Sequence, residues 1–273
     1  MSAEEMDPQR RHFLRAGAFG SLAVALPAVA MAGSVSTKSS PIARLRSGRV
    51  AGQLEQGIHV FRGIPYGADT APRRFQRAVQ ELPWRGVRDA FDYGPAAPQT
   101  SAEGPGSEDC LYLNVWTPAL RDGGKRPVLV YIHGGAFSNG SGSSQLYDGT
   151  HLSQRGDVVV ITLNHRLNLF GYLYLAQLGG EAFADSGNVG QLDLIQALQW
   201  VQQHAVEFGG DAGNVTVFGQ SGGGAKIATL MAMPEAKGLF HRAWTMSGQQ
   251  VTAAGPRAAS QRAQLVLGHF HVD

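Results

Sequence analysis

The sequence predicts an α/β fold built on a doubly wound, mostly parallel sheet. Runs such as Val128-Leu129-Val130-Tyr131-Ile132 do not alternate polar with apolar residues, which is how a strand covered on both faces reads. Such runs alternate with helical patterns along the chain, the order that builds a sheet wound on both sides. Composition agrees: of 273 residues, 43% are hydrophobic and 16% charged, too apolar for a disordered chain.

Taken in order, the folded part opens with short strands at Ala43–Arg46, Arg49–Leu54 and Ile58–Arg62, separated by turns that contain glycine. A loop-rich stretch follows to about Ser107, punctuated by Pro65, Pro72, Pro83, Pro95 and Pro98. Leu111–Trp116 and Pro127–Ile132 are then strand-like, joined through the turn Arg121-Asp122-Gly123-Gly124. Val158–Leu163 and Val215–Phe218, rich in β-branched residues, add two more strands. Between them Gln191–Phe208 reads as a helix. Leu194, Ala197, Leu198, Val201, Ala205 and Phe208 fall on one face, opposite Gln196, Gln199 and Gln203. A second helix runs from Gly222 to Met233 and stops before Pro234. Phe240–Met246 reads as a further strand and Ala258–Gly268 as a helix.

Several function classes are excluded early. A net charge of +2 provides no electrostatic footprint for nucleic acid. One cysteine, Cys110, rules out an internal disulfide framework and a multi-thiolate zinc site. No H-E-x-x-H or comparable ligand cluster occurs, so neither a metal nor a cofactor is expected. No clean apolar run of the length of a membrane span follows the N-terminal region. The 36 glycines, well above the usual ~7%, point to tight turns and close backbone approaches.

Residues 1–32 read as an address. Arg10-Arg11-His12-Phe13-Leu14-Arg15 precedes an apolar stretch from Ala16 to Ala30, with A-x-A cleavage sites at Ala28/Ala30 and Ala30/Ala32. The pattern resembles a bacterial twin-arginine export signal and implies a periplasmic or secreted protein. A short amphipathic or core helix is the alternative; Pro27 and the serine-rich Ser34–Ser40 argue against it. Residues 33–42 then form a linker and 43–273 the folded domain.

The chemistry concentrates in Val215-Thr216-Val217-Phe218-Gly219-Gln220-Ser221-Gly222-Gly223-Gly224. It sets G-x-S-x-G between a buried strand and a helix start. A serine hydroxyl must project there from a sharp turn, and Gly219 and Gly223 remove side chains that would collide. The amides that follow emerge at a helix N-terminus, where they favour negative charge. Alone the pattern is weak; its strand–turn–helix setting marks Ser221 as a nucleophile. His133-Gly134-Gly135-Ala136-Phe137 directly follows another strand. Two glycines there supply N–H donors without bulky side chains, as an oxyanion hole requires, although a glycine turn ending a strand would look the same.

Together with Phe61-Arg62-Gly63-Ile64-Pro65-Tyr66, Ser107-Glu108-Asp109-Cys110-Leu111-Tyr112-Leu113-Asn114-Val115, Asn164-His165-Arg166-Leu167, Gly187-Asn188-Val189-Gly190-Gln191-Leu192-Asp193 and Phe208-Gly209-Gly210-Asp211, these motifs are highly specific. The chain resembles the type-B carboxylesterases, the cholinesterase-like branch of the α/β-hydrolases, from about Ala43 onward. The resemblance implies Ser221 as the nucleophile and the N–H groups of Gly134, Gly135 and Gly222 as the oxyanion hole. It implies a small-molecule ester substrate and an acyl-enzyme cleared by water. Three positions depart from the family pattern. Gln220 stands where Glu is usual, Gly222 where Ala is usual, and Ala97 where a cysteine would pair with Cys110, which leaves Cys110 a buried free thiol.

In this fold the triad follows the chain order Ser, then Asp or Glu, then His. The sequence ends at Asp273 with no counterpart of the strands that carry the last two. The sequence-level expectation is therefore a truncated α/β-hydrolase-type sheet whose C-terminal strands are missing, with self-association through the exposed edge of Phe240–Met246. His133 reads as shaping the oxyanion loop, and His241, beside Arg242, as structural. Glu235 with His269 has the right order on the wrong elements. A catalytically inactive cholinesterase-like binding module, or a non-functional fragment, is the competing reading. A third reading, a P-loop from Gly219 and Gly224, fails because Lys226 falls one residue late and Ile227 replaces the Mg²⁺-binding hydroxyl. Phe137, Trp84 and Tyr147 are candidates to line a substrate gorge.

Overall fold

A computed structural model of the protein describes residues 40–100, 106–249 and 252–272. The expected export signal, 1–32, and the first part of the expected linker lie outside the described residues. In chain order the elements are β1 (Ile42–Arg44), β2 (Arg49–Ala51), β3 (Gln53–Glu55), β4 (Ile58–Pro65), β5 (Val87–Asp89), β6 (Tyr112–Thr117) and β7 (Arg126–Ile132). Then come α1 (Thr150–Gly156), β8 (Val159–Leu163), α2 (Asn168–Tyr172), α3 (Val189–His204), β9 (Gly210–Gln220), α4 (Gly222–Ala232), β10 (Arg242–Met246) and α5 (Pro256–His269).

The main sheet runs in the order β10-β9-β7-β8-β6-β4-β3. β10, β9, β7 and β8 are parallel to one another. β8, β6, β4 and β3 pair antiparallel. A second, small sheet joins β1, β2 and β5. The parallel half carries the site. β7 sits between β8 and β9, with Val130 opposite both Ile161 and Val217. The ends of β7 and β9 therefore come side by side, Ile132 opposite Gly219.

Both faces of the sheet are covered, as the continuous apolar runs require. Val128, Val130, Ile132, Ile161, Val215 and Val217 pack with Leu194, Leu198 and Val201 of α3 and Ile227 and Leu230 of α4. On the opposite face Val160, Trp116, Val60 and Ile58 form a second cluster with Leu129. Full burial of each such aliphatic side chain is worth roughly 1.5–3 kcal/mol. The predicted face of α3 is buried from Leu194 to Val201, and Gln191, Asp193 and Trp200 are buried as well. Asp193 takes both ends of the buried Arg166 guanidinium, at 2.6 and 2.9 Å, and the Arg166 N–H at 3.0 Å. This fixes the loop after β8 to α3.

Two helices and a strand were not legible in advance. α1 (THLSQRG) has a single large apolar residue, α2 has five residues, and β5 has three, all exposed. β9 is also longer than the expected Val215–Phe218, because its start, Gly210–Asn214, reads as a turn by composition.

Candidate active site

Ser221 ends the step from β9 into α4. Its backbone has φ 55° and ψ −122°, a region that costs a residue with a side chain on the order of 1–3 kcal/mol. Three neighbours hold it there. The Ser221 N–H donates to the Met246 carbonyl at 2.8 Å, and the Ser221 carbonyl accepts from Ala225 N–H at 3.1 Å. Gly248, just past β10, lies so close to the Ser221 carbonyl that no side chain could stand at 248. The hydroxyl itself makes no capping bond to the helix, so it is left for other partners.

The expected oxyanion glycines come to the same place. A Cβ on Gly134 would lie 3.5 Å from Ser221 Cβ and 2.9 Å from the Gln220 carbonyl oxygen. Gly135 has φ +90°, and its carbonyl accepts from the Ser138 and Asn139 N–H groups at 3.2 and 3.1 Å, which folds the loop into a tight turn. Gly222 abuts the Ala136 backbone, leaving no space for a Cβ. Among the described residues no protein acceptor takes the N–H of Gly134 or Gly135. The arrangement is a hydroxyl on a strained bend beside amide donors that are not used by the fold.

Beneath this loop lies a buried polar group that includes His133, read from the sequence as shaping the loop, together with His165 and Lys226, to which the sequence assigned no role here. His133 Nδ1 is 2.8 Å from the Gly134 carbonyl; a carbonyl can only accept, so Nδ1 carries the proton. His165 Nδ1 bonds the Arg166 carbonyl in the same way at 2.9 Å. The two rings stack with centroids 5.0 Å apart, and both Nε2 atoms are buried without a partner. Burial, assisted by the charge of Lys226, lowers His133 to about 3 and His165 well below its ordinary value. Both are neutral. Lys226, dismissed as a displaced P-loop lysine, is itself fully buried. Its ammonium donates to the His133 carbonyl at 3.3 Å.

Several other histidines and one acid that the sequence offers are engaged elsewhere. His241 Nδ1 accepts from Val215 N–H at 3.2 Å, the structural role expected of it. His204 spans the Trp200 carbonyl and the Arg46 N–H. Glu235 binds Arg77 through both oxygens, while His269 packs on Phe270, so those two do not form a pair. No histidine among the described residues hydrogen-bonds Ser221. Cys110 is a buried free thiol, as expected, with burial pushing its pKa up.

The three aromatic candidates do not line one gorge. Phe137 opens a cavity of about 650 Å³ that extends past Tyr172 and Thr229 to Ala263 and Val266 of α5. Tyr147 lines a different cavity of about 280 Å³ with Tyr131 and Phe218. Trp84 lies under Arg88, 4.3 Å from guanidinium to ring centre. No helix among the described residues is long and apolar enough to cross a membrane.

Comparison with known proteins identifies the family and the fold. Residues 39–268 match the carboxylesterase family. The chain is 46% identical to the para-nitrobenzyl esterase of Bacillus subtilis (strain 168) over 232 residues, covering 81% of this chain and 47% of that protein. It is 44% identical to the phenmedipham hydrolase of Pseudarthrobacter oxydans, covering 85% and 49%. A Geobacillus stearothermophilus carboxylesterase superposes with a TM-score of 0.82 at 46% identity, over 85% of this chain and 48% of that one. The chain spans about half the length of the curated relatives it matches. By the family match and by its identity to these relatives, the chain belongs to the carboxylesterase family.

Proposed function

We propose that the chain provides the nucleophile and oxyanion hole of a serine-dependent carboxylic ester hydrolase. The observation that carries the reading is the strained Ser221 packed against Gly134, whose amide has no partner within the described protein. In the reaction, Ser221 Oγ bonds to the ester carbonyl carbon. The carbonyl π pair moves onto oxygen, where the N–H groups of Gly134, Gly135 and Gly222 receive it. Collapse expels the alcohol and leaves an acyl-serine, which water clears. One such donor is typically worth ~3 kcal/mol of transition-state stabilisation. The proton on Oγ must pass to a base, and no described residue is placed to take it. We assign the base and its acid to the part of the relatives' fold that this chain does not match. The substrate is a small-molecule ester; para-nitrobenzyl esters, named for one relative, are the first to assay.

Labelling with a fluorophosphonate probe tests this. The native chain should be modified slowly, at the residual rate that an oxyanion hole supports without the base, and Ser221→Ala should not be modified at all. An unmodified native chain with a cooperative melt would sink the reading and favour a non-catalytic binding module. We further infer export by the twin-arginine route from Arg10-Arg11. Replacing both by lysine should hold the protein in the cytoplasm of the host cell, and unchanged periplasmic recovery would refute it.

A further inference from the structure

Lys226 has no part in the steps just described. It lies on α4, about one and a half turns beyond Ser221, with none of its surface exposed. No carboxylate among the described residues meets it. Among the described residues its ammonium has the His133 carbonyl oxygen as acceptor at 3.3 Å and the Phe137 ring 5.5 Å away. A cation buried without a counter-ion is costly, and burial pushes this one down to about 7. The chain carries that cost at one particular carbonyl.

The His133 C=O and the Gly134 N–H are the two ends of a single peptide group. A cationic donor on the oxygen draws electron density through the amide and strengthens the N–H as a donor, as in any hydrogen-bonded chain of peptides. The Gly134 N–H, like that of Gly135, has no acceptor among the described residues, and Gly134 packs beside Ser221. Glycine at 223 permits the approach of α4, since a Cβ there would sit 3.0 Å from the His133 oxygen and closer still to that of Ile132. We propose that Lys226 is a positioning residue: it holds and polarises the His133–Gly134 peptide so that the Gly134 amide donates more strongly to the substrate oxygen. This rests on the reading of Gly134 as an oxyanion donor.

The groups facing the ammonium are His133 from the loop after β7 and His165 from the loop after β8. The Arg166–Asp193 pair lies behind them, between that loop and α3. Tyr172 of α2, its phenol pushed up by burial, is reached through Phe137. Both histidines stay neutral far below neutrality, so a transition near pH 7 here belongs to Lys226.

His133-Gly134 is the only His-Gly pair in the sequence. Labelling the full chain with carbonyl-¹³C histidine and ¹⁵N glycine therefore isolates this one peptide by NMR. The His133 carbonyl and Gly134 amide shifts should move together on titration, with a midpoint near pH 7, and the step should vanish in Lys226→Met. In that variant the rate constant for fluorophosphonate modification of Ser221 should fall about fivefold or more, with the affinity for the probe unchanged. The absence of a step in the native chain overturns the proposal even if Lys226→Met does not fold. So does a step that survives in the variant, or an unchanged modification rate in a variant that melts cooperatively. A step that behaves as expected while neither chain is modified overturns the hydrolase reading instead, and with it the catalytic use of the polarised peptide.

Discussion

Ser221 keeps its unfavourable backbone because each atom around its peptide is held, and that makes its small neighbours the sensitive positions. Ala at 222 would gain at most ~1 kcal/mol of helix propensity over glycine. Its Cβ would collide with the Ala136 backbone, and overpacking of that kind costs ~1–3 kcal/mol. The collision wins. Gly222→Ala should displace the glycine loop and slow fluorophosphonate modification about tenfold; a variant modified as fast as the native chain would mean the loop has room to move. Gly248→Ala meets the Ser221 carbonyl itself and should lower stability by ~1–3 kcal/mol, read from urea unfolding. At this scale Ser221 and Gly134 are legible in the sequence because the chemistry demands those residue types at fixed spacing beside strands. Gly248 is not, since a glycine after a strand reads as an ordinary turn until its distance from Ser221 is seen. Lys226 escaped for the opposite reason: its position matched a familiar motif imperfectly and was set aside with it.

Among the elements, α4 does two things at once, starting at the nucleophile and burying a lysine against the end of β7. The folded pKa of Lys226, about 7, lies below the ~10.4 of an unfolded lysine. Between those values the unfolded chain holds a proton that the folded chain lacks, so Lys226 makes stability rise with pH across the window. Its penalty is full below about 7 and gone above about 10.4. Lys226→Met removes that slope. Relative to the native chain the variant should gain most near pH 7 and least near pH 10, with a difference of up to about 1.4 kcal/mol per pH unit; parallel unfolding curves for the two chains over that range would contradict the buried charge. His133 and His165 act in the acid range. Their folded pKa values are lowered, so the stability they contribute is intact above about 6.5 and is lost as pH falls below it, toward about 3 for His133. Strands such as β7 and β8 could be read from composition because both faces are buried. α1 and α2 could not, because short helices pressed on a sheet are held by what they touch and not by their own periodicity.

Over the whole molecule the two ends of the main sheet differ. β3, at one edge, is three residues long with Gln53 and Glu55 on it, the kind of short polar edge that resists pairing. β10, at the other, pairs only with β9 among the described residues; Arg242, Ala243 and Trp244 are exposed on it, Trp244 at 62%. Met231 on the adjoining α4 is 65% exposed. Unpaired backbone groups beside a bare indole are a template for another strand. The polypeptide given by this sequence should therefore self-associate as its concentration rises. Trp244→Lys places a charge on that edge at little cost to the fold, because the side chain is already largely in solvent. Sedimentation at increasing concentration should give a rising mass for the native chain and a constant monomer mass for the variant. Equal behaviour of the two, with both folded, would mean that β10 is not the contact.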